Sequence, residues 1–243
     1  MALAFVNETS AGEATSDTTL AAPAASHTSG NSLVVCLKWE ADAGTVSGIA
    51  DTATNTYTQI SGGPKSFPAP FGARVDMWKS DNITGNASNV VTATWAGAQS
   101  FKAIMVLQYS GLSALSAETS QTGTATSTTV TSGSFSPAAS GNLNIAVAAV
   151  DSAADMGAGT NYTARSEPTG GGGVIAEDRI GAPSGAQTAS ATTSPSEDMG
   201  IYVVSFTPTL TGTTPQTARG LQTARGLQTA RGLQTARGLQ TVR

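Results

Sequence analysis

One histidine and one cysteine are the residues of this 243-residue chain whose ordinary pKa values best suit base and nucleophile chemistry near neutral pH. His27 stands in Ala-Ser-His-Thr-Ser. A Ser/His/Asp triad would depend on that one ring, with no Gly-x-Ser-x-Gly turn to present a nucleophile, so His27 reads as an exposed turn residue. Cys36 lies among Leu, Val and Trp, where a small thiol packs as a hydrophobe; a reactive thiolate needs an electropositive, part-exposed niche. One cysteine allows no intrachain disulfide, and zinc, which wants about four Cys or His ligands, is excluded by count. Calcium needs only oxygens. Asp51 with Asn55, Asp151 with Asp155, Glu177 with Asp178 and Glu197 with Asp198 could offer them, yet no Asp-x-Asp-x-Asp loop is present and each pair reads as an ordinary turn or solvated face. No catalytic residue and no cofactor are therefore expected, calcium being the one ion left open. Paired carboxylates for glycoside hydrolysis are compatible with the composition, but such clefts carry several aromatics and these total 5% here.

Two stretches suit recognition better than catalysis. Residues 61–72, Ser-Gly-Gly-Pro-Lys-Ser-Phe-Pro-Ala-Pro-Phe-Gly, read as an exposed loop. Phe67 and Phe71 there could meet a sugar or a partner protein, or else cap the end of a sheet pair. The second stretch is the C-terminus. From Gln216 the chain runs Gln-Thr-Ala-Arg-Gly-Leu four times and ends Gln-Thr-Val-Arg, placing Arg219, Arg225, Arg231, Arg237 and Arg243 with Leu221, Leu227, Leu233 and Leu239 in a tail without a carboxylate. Lys and Arg total 12, so the body keeps seven against sixteen Asp and Glu, a net of minus nine. An acidic body is joined to a basic tail.

A helix turns about 100° per residue, so a six-residue period gives the leucines no lasting stripe, and regular Gly weakens it further. Collagen needs Gly at every third position. Extended structure fits best, but one glycine-dotted strand cannot fold alone. The tail is either disordered or paired, and the reading favoured here lays it along an acidic face of a neighbouring copy or threads it between copies around a symmetry axis, with Arg on carboxylates and backbone on a free sheet edge. Without interleaved aromatics, and opposed by an acidic body, it is not read as a nucleic-acid ligand.

The elements that must hold these residues are strands. The turn Ser29-Gly30-Asn31 opens into the apolar run Leu33-Val-Val-Cys-Leu-Lys-Trp39, and Ser140-Gly141-Asn142 opens into Leu143-Asn-Ile-Ala-Val-Ala-Ala-Val150. The similarity continues beyond both runs. Thr54-Asn-Thr-Tyr57 answers to Thr160-Asn-Tyr162, residues 90–95 to 188–192, and residues 101–109 to 199–206. No window has helical periodicity, so the fold class is all-β: a two-sheet β-sandwich or jelly-roll-like domain over residues 1–209, built from similar halves of about 5–112 and 119–207, then an extended tail over 210–243. Within it, Phe5-Val6 reads as a short strand before a polar stretch to residue 19. Residues 73–79 read as a strand with one wet face, 81–89 as a loop, and the Ser/Thr tract 119–134 as an exposed edge strand or a linker. Trp39, Trp78 and Trp95 fall in strand patterns and read as core. Gly170 to Gly173 does not lead a strand into a helix, so it is a mobile loop and no phosphate cradle.

Charged residues are only 12% of the chain, and a hydroxyl-rich surface of this kind is common in secreted, cell-surface and virion proteins. No run of about 18 apolar residues occurs, so no membrane partner is expected. Met1-Ala-Leu-Ala-Phe-Val reaches Asn7 and Glu8 with no basic leader, so no signal peptide is expected.

The order Gly30-Asn-Ser-Leu-Val-Val35, Asp51-Thr-Ala-Thr-Asn-Thr-Tyr57, Asn89-Val-Val-Thr-Ala-Thr-Trp95, Gln108-Tyr-Ser-Gly-Leu112 and Val203-Val-Ser-Phe206 resembles a β-sandwich module of bacterial surface proteins and bacteriophage structural proteins. Copies of that module typically read GNLLVV, DSLGNTYT, NTVTVTF and EYSGL. This chain carries Ala53-Thr54 where many have Leu-Gly, and Gln108 where Glu is usual. The resemblance spans residues 5–207, leaves out the tail, and implies a structural or adhesive part and no enzyme. The expectation is a bacteriophage virion component, such as a capsid decoration, head fibre or tail-associated subunit, partnered by itself as a homo-oligomer or by other virion proteins. The alternative is a secreted bacterial adhesin or carbohydrate-binding module, extracellular or on the cell surface, with a host-surface glycan as partner.

Overall fold

The computed structural model describes residues 2–40, 44–60, 62–67, 72–152 and 154–210. The recognition residues Phe71, Arg219, Arg225, Arg231, Arg237, Arg243, Leu221, Leu227, Leu233 and Leu239 lie outside them. The described residues form an all-β structure of antiparallel sheets without a helix. In chain order the strands are β1 (Ala4–Glu13), β2 (Asp17–Ala21), β3 (Ala25–His27), β4 (Ser32–Glu40), β5 (Val46–Asp51), β6 (Thr58–Gln59), β7 (Lys65–Ser66), β8 (Ala73–Ser80), β9 (Asn86–Asn89), β10 (Val91–Gln99), β11 (Lys102–Ser110), β12 (Leu112–Thr131), β13 (Asn142–Val150), β14 (Met156–Ala158), β15 (Thr163–Ser166), β16 (Val174–Ala182) and β17 (Ser190–Leu210). Sheet I runs β1-β11-β4-β8-β6 with β7 also on β8; sheet II is β2-β10-β5; sheet III runs β12-β17-β13-β16-β15 with β14 on β17; sheet IV is β3-β9.

The repeated Ser-Gly-Asn turn is the local cause of both central strands. Gly30 and Gly141 hold φ at +82° and +87°, a left-handed backbone that costs a residue with a Cβ about 1 kcal/mol or more. Each releases the chain into a run with no wet face: β13 is buried throughout and β4 everywhere except Glu40. Successive side chains of a strand point to opposite faces, so unbroken burial means both faces are covered. Val34 and Cys36 enter one core, while Leu33, Val35, Leu37 and Trp39 enter another. In β13, Leu143, Ile145, Val147 and Ala149 share that first core, and Ala146, Ala148 and Val150 point into a third.

The first core lies between sheets I and III, gathering Met105, Leu107 and Tyr109 of β11 with Tyr202, Val204 and Phe206 of β17. The second joins sheet I to sheet II, where Trp39 meets Trp95 edge to face at 6.1 Å. The third covers the outer face of sheet III and is closed by Val130, Ala189 and Ala191, which the bent ends of β12 and β17 bring over it. A bulge between Ser127 and Thr129 marks that bend.

The pairing scheme is drawn twice. In residues 4–110, β1 and β2 pair with β11 and β10, β10 with β5, β11 with β4, β4 with β8, and β8 with β6. In residues 112–210, β12 pairs with β17, β17 with β14 and β13, β13 with β16, and β16 with β15. Strands that are broken in two in the first half are continuous in the second.

Several sequence expectations change. β1 is ten residues long where a two-residue strand was expected. It is an edge strand with part-exposed side chains, so Asn7, Thr9 and Glu13 carry no penalty there. β8 has no fully exposed residue: Ala73, Val75 and Met77 enter the first core, and on the other face Asp76 is buried while Arg74 and Trp78 are part-buried. Residues 81–89 contain β9, which pairs with β3, and the second half begins at Leu112 with β12 itself. Gly171 and Gly173 are buried, so the four-glycine run is a packed connection.

Candidate functional site

His27 is 3% exposed, not a surface turn residue. Its Nδ1 accepts from Asn89 Nδ2 at 3.0 Å, and burial holds its pKa below the ordinary value, only partly offset by Asp51. The Asp51 turn explains why. Asp51 Oδ1 accepts from the Asn55 amide at 2.9 Å, and Oδ2 accepts from Asn55 Nδ2 at 2.8 Å, Tyr57 Oη at 2.8 Å and Asn89 Nδ2 at 2.9 Å. Burial opposes ionisation of Asp51, but these hydrogen bonds outweigh it and keep the carboxyl below its usual range. Both carboxylate oxygens are therefore spent on the protein, which is turn chemistry and leaves no lone-pair set facing outward for an ion.

Other sequence candidates separate in space. Glu177 and Asp178, adjacent in sequence, lie on opposite faces of β16. Asp178 enters the seam between the halves, accepting from Tyr109 Oη at 2.8 Å and pairing with Arg165 at 2.9 Å. Arg165 in turn lies 4.1 Å over the Phe5 ring, which packs edge-on to Tyr109. Glu177 faces away, fully buried, with Oε2 accepting from the Gly159 amide at 2.8 Å and Oε1 unpaired. Burial pushes its carboxyl up to about 8, aided by the charge of Asp178. Asp198 accepts from Thr126. Among the described residues no group of three or more His, Cys, Asp or Glu is arranged to hold a metal ion. Cys36 is fully buried and its thiol pKa is pushed well up, by burial first and then by Asp76.

Phe67 is 3% exposed and belongs to the first core, which corrects its reading as an exposed partner contact, although Gly62 and Ser66 beside it are exposed. β7 ties this segment to β8, and Gly200 leaves the space: a Cβ built there would lie 2.2 Å from the Phe67 ring. Trp39 and Trp95 are core, and Trp78 packs against the second cluster while its Nε1 donates to Asp76 at 2.9 Å.

What the seam does expose is a cleft of about 530 Å³, bounded by Glu40 and Phe101 from the first half and by Asp151, Asp155, Glu167 and the backbone of the glycine run from the second. Close packing builds its floor. A Cβ on Gly171 would lie 2.4 Å from the Lys102 carbonyl oxygen, so only glycine lets this loop reach β11. Lys38, 1% exposed, braces the loop from below, donating to the Gly171 carbonyl at 2.8 Å and the Phe101 carbonyl at 3.3 Å. Burial lowers its pKa to about 8, against the opposing pull of Glu40 and Asp151. Lys102, with no exposed side-chain surface, is enclosed by Glu13 at 2.6 Å, the Asp17 carboxylate and the Asp17 carbonyl at 3.1 Å.

Phe101 is the conspicuous member of the rim. It is 39% exposed and holds φ at +47°, a conformation costly for a bulky residue and one that the tight β10–β11 turn imposes. Sequence reasoning named Asp151 and Asp155 but missed Glu40, Phe101 and Glu167, which lie far apart in the chain and meet only through the packing of the halves. Comparisons with models of known protein families, with curated proteins and with solved structures gave no match for the chain.

Proposed function

We propose that this protein is a non-enzymatic structural subunit that assembles with copies of itself, a bacteriophage virion component of the capsid-decoration, head-fibre or tail-associated kind, built as a duplicated β-sandwich. The repeated pairing scheme and the shared turn motifs support duplication, and the resemblance of those motifs to virion and surface modules supports the setting. The observation that carries the assembly reading is one of charge. A body of net minus nine is joined to a tail of five arginines and no carboxylate, and the tail has too little apolar surface to fold unaided.

The one imidazole and the one thiol, the residues best suited to nucleophilic or acid-base work, are both enclosed. That supports a non-catalytic role. The deciding experiment measures the native mass of the full chain and of a chain lacking residues 216–243. The full chain is expected to be oligomeric and the shortened one to fall to a monomer. An unchanged oligomer, or a full chain that is itself monomeric, overturns the reading.

A further inference from the structure

We propose that the free edge of β12 seats the tail of a second copy of the chain, which joins sheet III there as an additional antiparallel strand. The proposal rests on the assembly reading and names the surface and the backbone contacts that the tail would use. β12 is a terminal strand of sheet III and spends its ladder on β17 alone. From Thr119 to Ser127 that ladder runs without a bulge, and none of these residues is buried. The Thr122 amide donates to the Gln121 side chain at 3.1 Å and not to β17. By the alternation of an antiparallel ladder, the amides of Ser120, Thr122, Thr124 and Thr126 therefore face outward. Beyond the bulge, the Thr129 amide is held by the Ser127 hydroxyl at 3.3 Å.

Folded proteins blunt a long edge with Lys, Pro or other charge, yet residues 119–131 hold no charged residue and no proline. The competing edges are shorter or engaged. β15, β2 and β5 have four, five and six residues, and β6 and β7 two each. β1 has ten, but Asn7 and Thr9 bond the carbonyls of Ser26 and Pro23, and Gly12 abuts Thr169.

The tail suits this edge. Its period of six is even, so in a strand every repeat puts Thr, Arg and Leu on one face and Gln, Ala and Gly on the other. Sliding by a whole repeat restores the same pairing, which gives one tail several equivalent registers. The two faces of the edge differ to match. On one, a Cβ built on Gly123 would lie 1.8 Å from the Thr131 carbonyl oxygen, and beside that crowding the Ala and Gly face fits. On the other, Thr126 stands opposite Asp198, which no Lys or Arg of the described residues pairs with. An arginine across Thr126 is two strand spacings from it, about 10 Å, which the two side chains together span. Chain direction favours a second copy. Leu210 pairs with Leu112 at the start of β12, so a tail turning back onto its own edge would run parallel to β12, whereas one from another copy can take the better-bonded antiparallel course.

The test is residue-resolved hydrogen exchange on the full chain, above and below the concentration at which it assembles. The amides of Ser120, Thr122, Thr124 and Thr126 are expected to slow by at least about tenfold on assembly, and those of Gln121, Gly123 and Ala125 to be slow in both states. Thr124→Pro removes one outward donor without touching the β17 ladder and is expected to weaken assembly by about tenfold in a light-scattering dilution series. Thr124→Val keeps the donor and should leave the midpoint in place. Pro-Pro for Thr-Ala at residues 217–218, 223–224, 229–230 and 235–236 keeps all five arginines but takes donors from both edges of the tail, and this chain is expected to be monomeric. Outward amides that stay fast in the assembled chain, or a Thr124→Pro midpoint that does not move, place the tail elsewhere: this inference fails while the assembly reading stands. Protection that survives the Pro-Pro tail assigns the edge to a second β12, and protection that survives dilution assigns it to the chain's own tail; either overturns the inference. A full chain that is monomeric at every concentration overturns both.

Discussion

Replacing Glu177 by Gln should convert a pH-dependent liability into a neutral interior amide. In the folded chain the carboxyl is fully buried, one oxygen held by the Gly159 amide at 2.8 Å and the other unpaired. Its pKa rises from 4.5 to about 8, burial being the main cause and the neighbouring charge of Asp178 a lesser one. The sign comes from proton counting. Between about 4.5 and about 8 the folded state keeps a proton that the unfolded state has released, so stability falls as pH rises through that window and levels off above it. The full loss is on the order of 5 kcal/mol, and on the order of 3 has accrued by pH 7. Gln keeps the acceptor for Gly159 and cannot ionise. Urea denaturation of wild type and Glu177→Gln at intervals from pH 5 to pH 9 isolates this group, because the difference between the two curves cancels the opposite contributions of Asp17 and Asp51, whose pKa values are lowered. The variants should match near pH 5, and Gln should be the more stable by several kcal/mol at pH 9. A difference that stays constant across the range refutes the reasoning.

Three further substitutions probe the seam and the corrected loop. Gly171→Ala must push the Lys102 carbonyl aside, and since that atom is backbone the loss should be about 2–3 kcal/mol in urea midpoint with an unchanged slope. Asp178→Asn keeps an acceptor for Tyr109 but leaves Arg165 without its anion, and should cost roughly 2–3 kcal/mol, less than a wholly buried pair because Arg165 is 19% exposed. Phe67→Ala should cost about 3–4 kcal/mol by opening a cavity against Gly200, whereas an exposed loop aromatic would cost less than about 0.5; the midpoint shift separates the two.

The parts of the fold legible in the sequence are those whose cause is local. A glycine forced to positive φ followed by an apolar run identifies β4 and β13 wherever they pack, and the Asx chemistry of Asp51 and Asn55 is complete within five residues. β1 was not legible past Val6, because an edge strand with part-exposed side chains is free to be polar and its only signal is the partner β11, nearly a hundred residues on. Phe67 was misread because its pocket is made by Gly200, and a missing side chain far away leaves no mark on the local pattern. Glu177 and Asp178 read as one acidic pair, yet the two-residue period of β16 sends them into different interiors. The cleft was the least legible feature. Of its acids only Asp151 and Asp155 are neighbours in sequence, and the rest arrive from strand ends that the packing brings together.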